Sequence, residues 1–214
     1  MTPADTLTDP PLMTLATPPP RNPAFTYISA RRQAVVFDTE TTGVSGADRI
    51  VSLAAIPLDG GLRPSGPGIH LVFNPGRPSH PMARAVHGLA DAFLARQPPF
   101  AAHADALRAL FHGRVLVAHN LAFDARMLAQ EAAALGQPAL AGRGRFCTME
   151  QFRRRHAGQR AGLDPVLQHL GLPARSGALH GAFEDAVLAM HVLHRLHHVP
   201  EPWAMAPLAF QNAR

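Results

Sequence analysis

The sequence has no lysine: all 20 of its basic residues are arginine. Arginine alone lifts the isoelectric point to about 11.1 while the formal charge is only +5, so the pI overstates how basic the surface is. That mild positive balance permits a polyanionic partner but does not specify one. Cysteine occurs once, at Cys147, which excludes a disulfide within the chain and makes a reducing, cytoplasmic setting the expectation. No apolar run reaches the length of roughly 20 residues that spans a bilayer. No basic segment followed by an apolar stretch opens the chain, so neither a signal peptide nor a membrane partner is expected. Acids are also scarce, with 15 Asp and Glu in 214 residues, and this scarcity makes their placement informative.

With 47% hydrophobic residues the chain supports one domain with a sizeable core. Residues 1–24 are rich in Pro and Thr and show no periodicity, so they read as a disordered tail. Residues 25–199 carry the folded domain, and 200–214 read as a flexible C-terminal tail. Within the domain, QAVVFD (33–38), RIVSLAAIPL (49–58) and IHLVF (69–73) read as three strands with short, antiparallel connections. Helical stretches follow near 82–95 and 103–112, then a fourth strand, RVLVAH (114–119). A helix over 122–136 stops at Gly136, GRFC (144–147) reads as a short fifth strand, and Thr148 is placed to cap the next helix. DPVLQHLG places Asp164 at an N-cap and Pro165 at the first helical position, and the last long helix runs from about Gly181 to His198. The predicted architecture is a five-stranded mixed sheet flanked by helices on both faces.

Against this frame the acids fall in a pattern. VVFDTETTG (35–43) ends the first strand with Asp38 and Glu40, two acids at i and i+2. Such side chains share one face of an extended chain, so two like charges are crowded together. Asp124 follows the fourth strand in AHNLAFD, and Asp185 lies in the first turn of the last helix in HGAFEDA. If the first and fourth strands are neighbours and the last helix covers them, four carboxylates converge. Such a group is electrostatically untenable without compensation. Oxygen-only ligands suit Mg²⁺ or Mn²⁺. Two such ions roughly 4 Å apart clamp the attacking and leaving oxygens of a displacement at phosphorus. His180, five residues before Asp185, can accept a proton from water when its imidazole is neutral.

FDTETTG, HNLAFD and HGAFEDA, in that order, resemble the three exonuclease motifs of the DnaQ-like 3′–5′ exonucleases, in the branch with four acids and a histidine (DEDDh). The similarity extends over roughly residues 32–196 and is strongest toward the bacterial DNA polymerase III epsilon, or proofreading, subunit. The tyrosine branch is disfavoured, because the one tyrosine is Tyr27, ahead of the first motif. The resemblance implies a ribonuclease H-like fold, two Mg²⁺ or Mn²⁺ ions, and release of nucleoside 5′-monophosphates from single-stranded or frayed DNA 3′ ends. By that resemblance Asp38, Glu40, Asp124 and Asp185 are metal ligands and His180 is the general base. Thr39, Thr41, Thr42, Gly43, Val86, His87, Asn120 and Phe123 then line the pocket for the terminal nucleotides. A DNA polymerase or a sliding clamp is the expected protein partner, the clamp on the strength of the C-terminal peptide at 205–210. Two departures stand out: Ser52 where relatives often carry Glu, and Cys147-Thr148 where many carry Asp-Thr.

Other readings compete. The same chemistry serves RNA trimming, and a non-catalytic module that binds a polymerase is a different class altogether. His191, His194 and His198 share a helical face, which raises zinc. Arg153, Arg154 and Arg155 suit either a phosphate backbone or a solvated helix face. MAPLAF (205–210) resembles clamp-binding peptides, with Met205 in place of the usual Gln. His119 reads as a core-edge histidine beside Asn120.

Overall fold

The computed structural model describes residues 32–199 and the backbone of 210–212. The N-terminal tail, most of the C-terminal tail and residues 205–209 of the clamp-like peptide lie outside the described residues.

Strand β1 (Ala34–Thr41) is buried at every position except the partly buried Asp38, and β2 (Ile50–Leu58) is buried throughout. Helices cover both faces, so the strands read as nearly continuous apolar runs instead of alternating ones. β3 (Gly68–Val72) pairs antiparallel with β2, as β2 does with β1. β4 (Val115–Ala118) runs parallel to β1, and β5 (Gly144–Cys147) parallel to β4. The expected five-stranded mixed sheet is therefore present. A short sixth strand, β6 (Phe210–Asn212), pairs parallel with β3, giving the order β5-β4-β1-β2-β3-β6. Sequence placed these three residues in a flexible tail. The outer edge of β3 offers unpaired backbone groups that a passing segment can satisfy, and three residues carry no periodicity to announce it.

The stretch over 82–95 is two helices, α1 (Pro81–His87) and α2 (Asp91–Leu94), separated at Gly88 with φ 72°. A 3₁₀ turn (Phe100–His103) leads into α3 (Ala104–Phe111). α4 (Leu121–Ala134) ends ahead of the left-handed Gly136, as expected. In α5 (Thr148–Arg155) the N-cap is Cys147, and Thr148 is already helical. α6 (Leu163–Leu170) starts earlier than its Asp-Pro suggests. Gly162 is the N-cap, and its carbonyl accepts from Val166 N–H at 3.0 Å. Proline is tolerated throughout the first turn, where its missing N–H has no partner to lose. The Asp164 carboxylate is thereby left for other use. α7 (Ala182–His197) follows Gly181 and is terminated by the left-handed His198. Among the described residues no helix is long and apolar enough to cross a membrane.

Side-chain alternation in β1 sorts the core. Val35 and Phe37 pack with Leu53, Leu107, Phe111, Met127 and Leu128 on the face covered by α3 and α4. Ala34 and Val36 pack with Ala182, Ala186, Ala189, Met190 and Leu193 of α7 on the other. Alanine at three successive turns lets α7 lie close to the sheet. Asp38 and Glu40 continue the even-numbered face, so the strand's end delivers both acids beneath the first turn of α7. α5 and α6 buttress the outer side of α7 through Phe152, Val166, Leu167, Leu188 and Val192.

Candidate active site

Asp38, Glu40 and Asp185 meet at the carboxyl end of β1, each offering an oxygen within 4.8 Å of the others. Among the described residues this is the grouping of His, Cys, Asp and Glu with the spacing of a metal site. Asp124 stands directly behind it. Its Oδ1 accepts from Thr39 N–H at 3.1 Å and from Thr39 Oγ1 at 2.7 Å. Thr39 points to the α4 face while its neighbours point to the α7 face, so Asp124 joins the cluster across the strand.

The crowding is electrostatically visible. Burial, then Asp124 and Glu40, push the Asp38 carboxyl well above its ordinary value, against the pull of Arg175. Burial raises Glu40 to about 7, with Arg175 opposing and Asp124 adding. Burial likewise raises Asp124 to about 7, despite the Thr39 hydrogen bonds that favour its charged form. These residues fit a hard divalent cation. The donors are all oxygen, they lie close enough to share an ion, and a cationic guanidinium is already drawn among them. Arg175 Nη1 forms an ion pair with Asp185 Oδ1, and the Arg175 side chain is only 7% exposed.

His180 sits at the mouth, its Nδ1 3.7 Å from Asp185 Oδ2, with 40% of its side chain exposed. Burial and Arg175 lower its pKa, while Asp164 and Glu184 oppose the shift. Its backbone N–H donates to Val86 O at 2.8 Å, which ties this strap to the end of α1. Gly88 makes the approach feasible: a Cβ there would lie 2.7 Å from Leu179 Cδ1, and φ is +72°.

The remaining expected pocket residues divide into two groups. His87 is buried, its Nδ1 accepts from Leu89 N–H at 3.0 Å, and its Nε2 is buried with no hydrogen-bond partner. That arrangement places the ring proton on Nε2, ready to donate. Val86 is 42% exposed on the same helix end, and Phe123 is partly buried with the Arg126 guanidinium 5.2 Å from its ring centroid. Asn120 is exposed and holds a left-handed conformation, φ 68°, at the start of α4. Thr41, Thr42 and Gly43, by contrast, build the turn that follows β1. Thr41 Oγ1 donates to Gly43 O at 2.7 Å, and Thr42 Oγ1 donates to Asp48 Oδ1 at 2.7 Å. A Cβ on Gly43 would sit 2.6 Å from Asp48 Oδ2, so the turn closes tightly on that carboxylate.

A cavity of about 540 Å³ opens over the acids, lined by Asp38, Asp185, His119, His180, Arg160 and Arg175 among others. His119 Nε2 donates to Ala161 O at 2.9 Å, and its Nδ1 lies 2.9 Å from Thr148 Oγ1. Burial lowers its pKa to about 4, so it is a neutral wall residue. The Thr of the departing Cys147-Thr148 pair thus braces this wall. At the other departure, Ser52 Oγ lies 2.9 Å from His70 Nε2. Sequence missed Arg175, Asp164 and Arg160. Arg160 and Arg175 come from the loops on either side of α6, where no spacing pattern marks them, and Asp164 from its first turn, where it reads as a cap.

The histidines of α7 do not gather around a metal. His194 Nε2 donates to Leu62 O at 2.7 Å in the core, His191 is buried, and His198 is the helix cap. In the arginine run, Arg155 Nη1 donates to Leu196 O near the end of α7, while Arg153 and Arg154 are exposed.

Comparison with known proteins agrees with this architecture. The exonuclease family RNase_T matches residues 35–193. DNA polymerase III subunit epsilon of Escherichia coli strain K12 is 32% identical over 77% of this chain and 71% of its own length. A DNA polymerase III subunit epsilon-like protein of Rhodobacter capsulatus is 33% identical over 76% of this chain, which spans 23% of that larger protein. Among solved structures, E. coli exonuclease I in complex with a 5cy-dT13 oligonucleotide shares the fold, with TM-score 0.67 and 18% identity over 80% of this chain and 42% of that one. Exonuclease X in complex with 5′ overhanging duplex DNA covers 75% of this chain and 90% of its own, with TM-score 0.56 and 24% identity. With three acidic motifs converging on one end of a ribonuclease H-like sheet and a family match across nearly the whole described domain, the chain belongs to the RNase_T exonuclease family.

Proposed function

We propose that this exonuclease hydrolyses phosphodiester bonds at the 3′ ends of single-stranded or frayed DNA and releases nucleoside 5′-monophosphates. The observation that carries the reading is the trio Asp38, Glu40 and Asp185 within 4.8 Å, with Asp124 locked behind it by Thr39. These four acids would hold two Mg²⁺ or Mn²⁺ ions, which when bound neutralise the cluster and acidify a water. His180 accepts the water's proton at the ring nitrogen that does not face Asp185. Thr39 fixes the Asp124 carboxylate in place, and His87 donates from Nε2 to the terminal nucleotide. Val86 and Phe123 supply apolar surface for bases at the rim. A cavity of about 540 Å³ over the acids gives room for an unpaired terminal nucleotide. The kinship with epsilon subunits supports a role beside a DNA polymerase.

The test is nucleotide release from 3′-recessed, 3′-mismatched and single-stranded DNA, with matching RNA oligomers, in Mg²⁺ or Mn²⁺. Stepwise 5′-monophosphates from DNA 3′ ends, absent in chelator, are expected. RNA cleaved faster than DNA would reassign the substrate. No release from any oligomer would leave binding without chemistry.

A further inference from the structure

Arg175 lies in the irregular segment between α6 and α7, outside every motif. A side chain 7% exposed is unusual for an arginine on a loop, and the guanidinium has a specific use for its burial. Nη1 pairs with Asp185 Oδ1, while Nε and Nη2 each lie 3.3 Å from Asp164 Oδ1. One planar fork therefore bridges two carboxylates of different character. Asp185 is 8% exposed and belongs to the trio, whereas Asp164 is 59% exposed and faces solvent. The Arg175 charge also acts on Asp38 and Glu40.

A guanidinium on Asp185 and a divalent ion held by Asp185 compete for the same carboxylate, and the two cations repel each other. We propose that Arg175 is the internal counter-cation of the acid cluster: it neutralises Asp185 in the metal-free protein and swings onto Asp164 alone when a divalent ion enters. Its position thereby sets the metal affinity of the enzyme. Asp164 serves as the seat that lets the guanidinium leave without being stranded, since Nε and Nη2 already rest there. Arg175 is a positioning residue by this account, acting on ligands and not on reacting atoms. The inference rests on the metal reading of Asp38, Glu40 and Asp185 above.

The experiment measures Mn²⁺ binding to the full chain by calorimetry and by electron paramagnetic resonance, together with the melting temperature in chelator. Removing a competing cation is a coupling between two ligands of one site, so Arg175→Gln binds Mn²⁺ tighter, by about 5- to 50-fold. The same variant melts lower than the natural chain in chelator and gains more from Mn²⁺. Arg175→Lys keeps the charge and stays near the natural affinity. Asp164→Asn, at an exposed position that leaves folding intact, removes the alternative seat and weakens Mn²⁺ binding. Unchanged or weaker binding in Arg175→Gln overturns the inference, as does unchanged or tighter binding in Asp164→Asn. Absence of Mn²⁺ binding in the natural chain overturns the metal reading along with it, whereas binding that ignores all three substitutions overturns the Arg175 role alone.

Discussion

Two sets of buried carboxylates lie along the same sheet, and they are treated in opposite ways. Glu131 of α4 is 1% exposed, yet its Oε1 accepts from Arg49 Nε and Ile50 N–H, both at 2.9 Å, and its Oε2 from Arg49 Nη2 at 2.6 Å. Asp48 is similarly served. Burial opposes its charge, but hydrogen bonds from Ser45 and Thr42 hold its pKa below the ordinary value. Asp38 and Glu40 instead face other acids, with Arg175 only partly offsetting them, and Asp124 keeps just its Thr39 hydrogen bonds; the pKa values of all three rise. Burial is common to both sets; the supply of donors differs. A carboxylate that holds the fold together is given its partners by the chain. The crowded set is left short of such partners, which is what the proposed cation site requires.

The strongest way to break the contrast is to remove one acid from the crowded set. Asp38→Asn lowers nucleotide release on the order of 10³-fold while the chain stays folded, as paired kinetics and circular dichroism would show. A variant that loses both activity and fold together would place Asp38 with Glu131. Glu131→Gln has the reverse signature. It removes the anion that answers Arg49 and costs about 2–4 kcal/mol in urea unfolding, somewhat below the usual cost of breaking a buried pair because Arg49 is 33% exposed. Turnover well below its melting point stays within about two-fold of the natural value.

His180 sharpens the comparison from the site's edge. In the proposed role of His180 as base, the neutral imidazole is the working form, so activity rises with pH. Burial and Arg175 lower its pKa, so the acid limb has its midpoint below about 6.5, the unperturbed imidazole value. His180→Gln loses about 100-fold in kcat and that limb with it. The smallest effect belongs to Gly88→Ala. A Cβ would press on Leu179 at 2.7 Å in a left-handed backbone, shifting the strap that carries His180 and lowering kcat about ten-fold with little change in KM.

Much of this was legible in the sequence because it rests on local patterns. Continuous apolar runs marked β1, β2 and β4, since both faces of each are covered. The order of elements placed β1 beside β4 and α7 across them, and the three acidic motifs converged as that order requires. Asp38 and Glu40 shared a face because strand period is 2. What stayed hidden depends on tertiary contact. Gly88 splits one helical stretch in two as a left-handed C-cap, and Leu179, some ninety residues on, packs where a Cβ there would lie. Asp164 looked like a cap until Arg175 claimed it. Arg175 itself stands in a loop with no period, and its burial follows only from where α7 lands. β6 pairs with an edge that no local pattern within three residues could reveal.

On the proposed metal reading, the acid cluster destabilises the metal-free fold in exchange for holding cations. Acids whose pKa is raised on folding bind more protons in the native state than in the unfolded one. Stability in chelator therefore falls as pH climbs from about 4 through about 7, and the full penalty stands above that range. The deciding measurement is the melting temperature of Asp38→Asn against the natural chain at pH 8, once in chelator and once in Mn²⁺. The account predicts opposite signs: the variant melts higher in chelator, where one repelling charge has gone, and lower in Mn²⁺, where a ligand has gone. A variant that melts lower in both would make Asp38 an ordinary structural acid and contradict the account.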